Sequence, residues 1–375
     1  MAFTFRPEIP HLSTVVVKVG SRILSPEETI PPTKRVRDLV DSIARLRQAG
    51  VRTLLVSSGA IARGMFALHL RTRPKAIPMK QACASIGQIR LMTMYETLFS
   101  DRDIPIGQVL LTWDDLRNKK RYLNLRNTFF HLLNCGAVPV INENDSVGVE
   151  EIRFGDNDTL AAQIAMLVHA EIFVNLTDTR GLFDKNPKLK PDARHIPVVE
   201  RFTPAIFNCV KDCNSEISVG GMITKLRAAE TVTKAGICAV IGDGFGATLL
   251  EVLENPSMGT IFLPSVKNMP SRRRWIAFTG KSEGALYIDE GAQRAIVEKG
   301  KSLLPAGVKK ISGAFAPGAM VDVCDERKHI VARGMVNYSS QEILKIAGFK
   351  TTDIELRLGQ KTFDEVIHRD NLVVM

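Results

Sequence analysis

Lys18 stands two residues before Gly20 at the end of an apolar run, and Lys225 closes the segment Gly220-Gly221-Met222-Ile223-Thr224-Lys225. A lysine beside a glycine turn sets a positive charge next to backbone N–H groups that can approach an anion closely. Between the two lysines lie Ser57-Ser58-Gly59-Ala60-Ile61-Ala62-Arg63-Gly64, Asn142-Glu143-Asn144-Asp145, Gly155-Asp156-Asn157-Asp158 and Thr177-Asp178-Thr179-Arg180-Gly181-Leu182. Glycine turns and lysines suit phosphate oxygens, and acid and amide clusters suit an amino-acid substrate. In this order they hold what is needed to move a phosphoryl group from ATP onto a carboxylate. Such an acceptor is already anionic and needs no general base, so positioning and positive charge carry the reaction.

Each segment also has a plainer reading. Lys18 fits a surface lysine beside a turn as well as a phosphate ligand. Ser58 and the Gly59 N–H fall where a helix N-terminus would attract an anion, but serine is also an ordinary N-cap. Asp145 is placed to meet the ammonium of an amino acid, and four consecutive polar residues after a strand cannot all be caps. Helix capping remains an alternative for the acids and amide of Gly155-Asp156-Asn157-Asp158. Thr177 and Asp178 read equally as nucleotide contacts or as a turn near an edge. His169 reads as a packed or exposed side chain before it reads as a base. Neither a Gly-x4-Gly-Lys-Ser/Thr loop nor a Gly-x-Gly-x-x-Gly after the first strand is present, so the common nucleotide fingerprints do not apply.

The elements that must position these residues are legible as apolar runs at 14–19, 53–57, 106–111, 138–141, 172–176 and 238–241. Continuous apolar character marks strands buried on both faces of a largely parallel sheet. Val36, Leu39, Val40, Ile43 and Leu46 recur at helical spacing over 33–49, and Gly50 is a good stop. Strand, helix and strand make a βαβ unit with a right-handed crossover. The chemical residues then collect at the carboxyl edge of the sheet, where open α/β folds bind ligands.

A chain of 375 residues exceeds the usual reach of one core, so two domains are expected, over 1–270 and 274–375. The break falls at Lys267-Asn268-Met269-Pro270-Ser271-Arg272-Arg273-Arg274. Short alternating runs at 285–288, 320–323 and 330–332 then predict a small, mostly β, barrel-like module. Hydrophobic residues at 45% and charged residues at 24% exclude extensive disorder. No secretory start and no membrane-length run are present, so the expected location is cytoplasmic, with no membrane partner. The six cysteines, Cys83, Cys135, Cys209, Cys213, Cys238 and Cys324, are dispersed and expected to be reduced. Cys209 and Cys213 lie one helical turn apart, but no second ligand pair stands near them to hold a metal. A net charge of +10 suits anionic substrates as well as nucleic acid and decides little.

With its glycine turns and acid clusters in this order, nearly the whole chain, from Val15 to Asp370, resembles the amino-acid kinase family. The specific segments are Ser58-Gly59-Ala60-Ile61, Asn142-Glu143-Asn144-Asp145, Gly155-Asp156-Asn157-Asp158 and Gly220-Gly221-Met222. Within the family the match is to kinases that phosphorylate the γ-carboxylate of L-glutamate at the start of proline synthesis. The resemblance implies a three-layer αβα kinase domain with a mainly parallel sheet, plus a small, mostly β, PUA-like domain from about Arg274. It implies ATP and Mg²⁺, with Lys18 and Lys225 flanking the transferring group and Asp158 holding them in place. It puts Ser58, Asp145 and Asn157 on glutamate. It assigns Lys18, Gly20, Thr177, Asp178, Val219, Gly220, Gly221, Met222, Ile223, Thr224 and Lys225 to ATP, with no metal ligand named.

The resemblance further implies a homo-oligomer, feedback inhibition by proline involving the loop 147–154, and hand-over of product to the next enzyme of proline synthesis. Arg22 stands where the family usually has a small residue, which bears on phosphate affinity. Ala319 replaces an acid common in the PUA strand, which weakens an inference of RNA binding. The alternatives are a kinase of aspartate, N-acetylglutamate or a nucleoside monophosphate, and an RNA-binding protein on a degenerate kinase scaffold. Asp145 disfavours N-acetylated substrates, which offer it no ammonium.

Overall fold

In a computed structural model of the chain, which describes residues 5–7, 9, 11–24, 32–148, 157–187, 189–210, 221–265, 276–277 and 282–375, each of the six apolar runs forms a strand. They are β1 (Thr14–Val19), β2 (Arg52–Ser57), β3 (Ile106–Leu111), β4 (Val138–Glu143), β5 (Ile172–Thr177) and β7 (Cys238–Asp243). Two strands without a long apolar run, β6 (Val198–Val199) and β8 (Gly259–Phe262), complete an eight-stranded sheet in the order β3-β4-β2-β1-β5-β7-β8-β6. Every pair is parallel except β7 with β8. Three strands run further than their apolar character. β4 continues through Asn142 and Glu143, which stay paired to Leu110 and Leu111, and β5 and β7 end on the pair Thr177 and Asp243. Ladder bonds are made by the backbone, so polar residues prolong a strand wherever its neighbour continues.

Strand alternation gives the sheet two buried faces. Val15, Val17 and Val19 join Val36, Leu39, Val40 and Ile43 of the helix Pro32–Gln48, and Tyr95 and Phe99 of the helix Ile77–Ser100, in one core. The helices Asn157–Val168 and Met222–Lys234 pack against β1 and β7 respectively and against each other. The result is a three-layer αβα sandwich.

One close approach joins two helices of this unit. The helices Ala60–Ala67 and Ile77–Ser100 cross backbone to backbone at Gly64 and Gly87. A Cβ on Gly64 would lie 1.8 Å from the Cys83 carbonyl oxygen, and one on Gly87 1.7 Å from that of Ala60. Only glycine fits at either place.

By contact, residues Met1–Leu116 and Lys120–Asn268 form one unit, and Arg117–Lys119 with Met269–Met375 a second. The second holds a five-stranded sheet in the order β10-β9-β11-β12-β13, with β9 (Gly284–Ile288), β10 (Val308–Ser312), β11 (Met320–Cys324), β12 (Ile330–Met335) and β13 (Leu372–Val374). Only β9 with β11 is parallel. Leu286, Val321, Val323 and Ala332 pack with Ile343 and Ile354 from two helices in a separate core. The end strands β10 and β13 escaped the sequence reading. β10 carries two exposed lysines in place of alternation, and β13 is three residues long. Among the described residues no helix is long and apolar enough to cross a membrane.

Candidate active site

Alternation that turns Val15, Val17 and Val19 to one core sends Lys18 to the opposite face, toward the helix Asn157–Val168. Asp158, in the first turn of that helix, takes Lys18 Nζ on Oδ1 at 2.5 Å and Lys225 Nζ on Oδ2 at 3.0 Å. Asn175 is the register partner of Lys18 on β5 and donates to Oδ1 at 2.9 Å, while the Thr224 hydroxyl donates to Oδ2 at 2.7 Å. All three charges are nearly withdrawn from water, at 5%, 7% and 1% exposure for Lys18, Lys225 and Asp158. Burial alone would push the Asp158 carboxyl up. The two ammonium groups, with hydrogen bonds from Lys18 and Thr224, outweigh that and hold it well below the usual carboxylate range. Both carboxylate oxygens are engaged with side chains, so capping does not account for this aspartate. Two cations on one anion leave the spot net positive, as an incoming phosphate requires.

The second half of the site is a chain of amides and hydroxyls. The N-cap of Ala60–Ala67 is Gly59, at φ 102°, and no side chain caps the helix. Plain capping therefore does not explain Ser58, whose Oγ accepts from Asn157 Nδ2 at 2.8 Å. The same Nδ2 lies 3.0 Å from Asn142 Oδ1, and Asn142 Nδ2 donates to Gln88 Oε1 at 2.9 Å. Ser57, the last residue of β2, is 2.9 Å from the Tyr95 hydroxyl. That phenol is fully buried and its pKa is pushed up to about 12 by burial, against the opposing effects of Ser57 and Arg63. It is a neutral tether that anchors the strand end before Ser58.

Both halves open on one cavity of about 450 Å³. Lys18, Gly20, Ser58, Asp145, Asn157, Asp158, Thr177, Asp178, Gly221, Met222 and Lys225 all stand on its wall. Thr224 does not, since its hydroxyl turns to Asp158, and the Ile223 side chain is exposed. Val219 and Gly220 lie outside the described residues, as do Gly155, Asp156 and most of the 147–154 loop. Arg22 also lines the cavity and pairs with Asp178 Oδ2 at 2.6 Å. His169 follows its helix with φ 56° and is not on the wall. Cys209 is on the wall, whereas Cys213 lies outside the described residues.

Two participants escaped the sequence reading. Asn175 left a signal, a single amide in the middle of the buried run Ile-Phe-Val-Asn-Leu-Thr, where a polar group needs a partner. Gln88 left none, for an amide on a helix is commonplace.

The sequence profile of the amino acid kinase family matches residues 13–243, and that of the PUA domain matches residues 284–357. A glutamate 5-kinase of Caldanaerobacter subterraneus is 46% identical over 362 residues, spanning 96% of this chain and 97% of that protein. A glutamate 5-kinase of Syntrophus aciditrophicus is 44% identical over 368 residues, spanning 98% and 95%. Among solved structures, a carbamate kinase from Giardia lamblia bound to AMP-PNP aligns with a TM-score of 0.46 at 19% identity, covering 68% of this chain and 99% of that one.

Proposed function

Since this chain belongs to the amino acid kinase family, we propose that it transfers the γ-phosphoryl group of ATP to the γ-carboxylate of L-glutamate, the first step of proline synthesis. The products are γ-glutamyl phosphate and ADP. What carries the reading is likeness to glutamate 5-kinases along nearly the whole chain, joined to a buried two-lysine site beside a cluster of amides and acids.

Two anions must meet, the carboxylate and the triphosphate: a carboxylate oxygen bonds to the γ-phosphorus as the bond to the β,γ-bridging oxygen breaks and ADP leaves in line. Lys18 and Lys225 face the charge that gathers on the transferring oxygens, and Asp158 fixes both ammonium groups before substrate arrives. Such preorganisation spares the transition state a reorganisation cost. Ser58, Asp145 and Asn157 hold glutamate, with Asp145 toward its ammonium. Gly20, Thr177, Asp178 and the turn 219–225 hold the nucleotide.

Among the described residues no group of three or more His, Cys, Asp or Glu side chains could hold a metal ion. The described side chains do not fit a protein cage for Mg²⁺; an ion entering with ATP would be held mainly by phosphate oxygens and would neutralise their charge. The chain works in the cytoplasm as a homo-oligomer, responds to proline through the loop 147–154, and passes its labile product to the next enzyme. Residues 1–270 make the catalytic domain and 274–375 the accessory PUA-like domain.

Hydroxylamine captures an acyl phosphate as a hydroxamate. Incubation with MgATP and L-glutamate should give hydroxamate and ADP in equal amounts, and aspartate or N-acetylglutamate far less. No hydroxamate from glutamate would exclude the proposal.

A further inference from the structure

The Glu143 backbone N–H donates to Asn142 Oδ1 at 2.9 Å, and this bond decides the polarity of every amide around it. A backbone N–H can only donate. Asn142 must therefore present its oxygen there, and its Nδ2 is left to face Gln88, which in turn must offer Oε1. On the other side Asn157 must show Nδ2 to Asn142 Oδ1, and it shares the same nitrogen with Ser58 Oγ. The Asn157 carboxamide is thereby locked, with Oδ1 as its remaining group. That oxygen is buried and has no hydrogen-bond partner among the described residues, on a side chain that lines the cavity. A buried acceptor left open costs stability unless a donor arrives.

We propose that Gln88 is a positioning residue for substrate recognition. The Glu143 N–H sets which way Asn142 faces, and Gln88 pins its other end, so that the pair holds Asn157 with its oxygen as an acceptor for the α-ammonium of the acidic substrate, alongside Asp145. Gln88 itself is not on the cavity wall. Its place is fixed because it follows Gly87, where the helix Ile77–Ser100 meets the Ala60 carbonyl with no room for a side chain. The amide relay thus gives the site a reason to prefer a free amino acid over the same diacid without an amine. This inference rests on glutamate being the acceptor substrate.

The test compares L-glutamate with glutarate, which keeps both carboxylates and lacks the ammonium, as substrate or as competitive inhibitor. Gln88→Met keeps the volume and removes the acceptor for Asn142. It should raise the glutamate KM about tenfold. The glutarate constant, the KM for ATP and kcat should each stay within about twofold. Gln88→Glu retains an acceptor and should keep most of the preference for glutamate. Where Gln88→Met does not fold, Gln88→Ala carries the same expectation. Equal losses on glutamate and glutarate, an unchanged glutamate KM, or a Gln88→Glu as impaired as Gln88→Met would each overturn the role of Gln88. Absence of wild-type turnover on glutamate would overturn the functional reading as well, which separates the two failures.

Discussion

At the scale of single residues, the site turns on one carboxylate shared by two buried ammonium groups. If Lys18 faces the transferring group as proposed, Lys18→Ala removes a charge that counts most in the transition state, and the barrier should rise by about 2 to 4 kcal/mol. Steady-state hydroxamate formation should show this chiefly in kcat, with the glutamate KM little changed. A variant keeping near wild-type kcat would contradict the assignment. Asp158→Asn leaves Lys18 and Lys225 without their counter-charge, and loss of one member of a buried pair costs about 3 to 5 kcal/mol. Urea unfolding measures the loss, and MgATP should recover part of it, because phosphates supply the missing negative charge. The pH dependence has a definite sign. The Asp158 carboxyl is held low in the folded chain, so its stabilisation is complete above about pH 5 and is lost as pH falls through the folded value. Between neutral and acid pH the wild type should therefore lose more stability than Asp158→Asn; parallel losses would count against the buried triad.

At the scale of elements, the decisive features are strand ends and one helix crossing. Lys18, Asn142 and Asn175 are all carried on strands, and Asp158 and Lys225 enter from the first turns of two helices that pack together. Backbone ladders on both sides hold β1 in place, so its lysine cannot drift from the helix that carries Asp158. The helix pair joined at Gly64 and Gly87 is tighter still. Gly87→Ala would force a methyl to within 1.7 Å of the Ala60 carbonyl oxygen, and such overpacking typically costs about 1 to 3 kcal/mol or more. It should also raise the glutamate KM, because Gln88 and the turn after Ser58 move with these helices. Thermal unfolding and kinetics on the same preparation would check both expectations. A variant equal to wild type in both would mean that the crossing relaxes freely.

At the scale of the whole molecule, each unit buries its own hydrophobic cluster. Residues 269–375, which keep Ile276 and Ala277 against Met320, Met335 and Val373, should therefore fold when expressed alone, with a cooperative thermal transition in circular dichroism; a broad, non-cooperative melt would show that the second core depends on the first unit. Much of the architecture was legible beforehand. Six strands, the parallel sheet and the β character of the C-terminal region followed from apolar runs and turn residues, since burial on two faces imposes a composition that chemistry makes visible. β6, β8, β10 and β13 were not legible, being short, polar or at an edge, where the ladder and not the side chains defines the strand. The residue types suited to phosphoryl transfer were likewise open to reading, for lysines beside glycine turns and clustered acids declare their chemistry. What the chain order could not disclose is which atoms meet. Lys18 and Lys225 share Asp158, Ser58 binds Asn157 instead of capping its helix, and Gln88 accepts from Asn142, an amide far from it in sequence. Those pairings depend on strand register and helix crossing, and hydrogen bonds acting over about 3 Å exist only once the packed sheet has brought distant residues together.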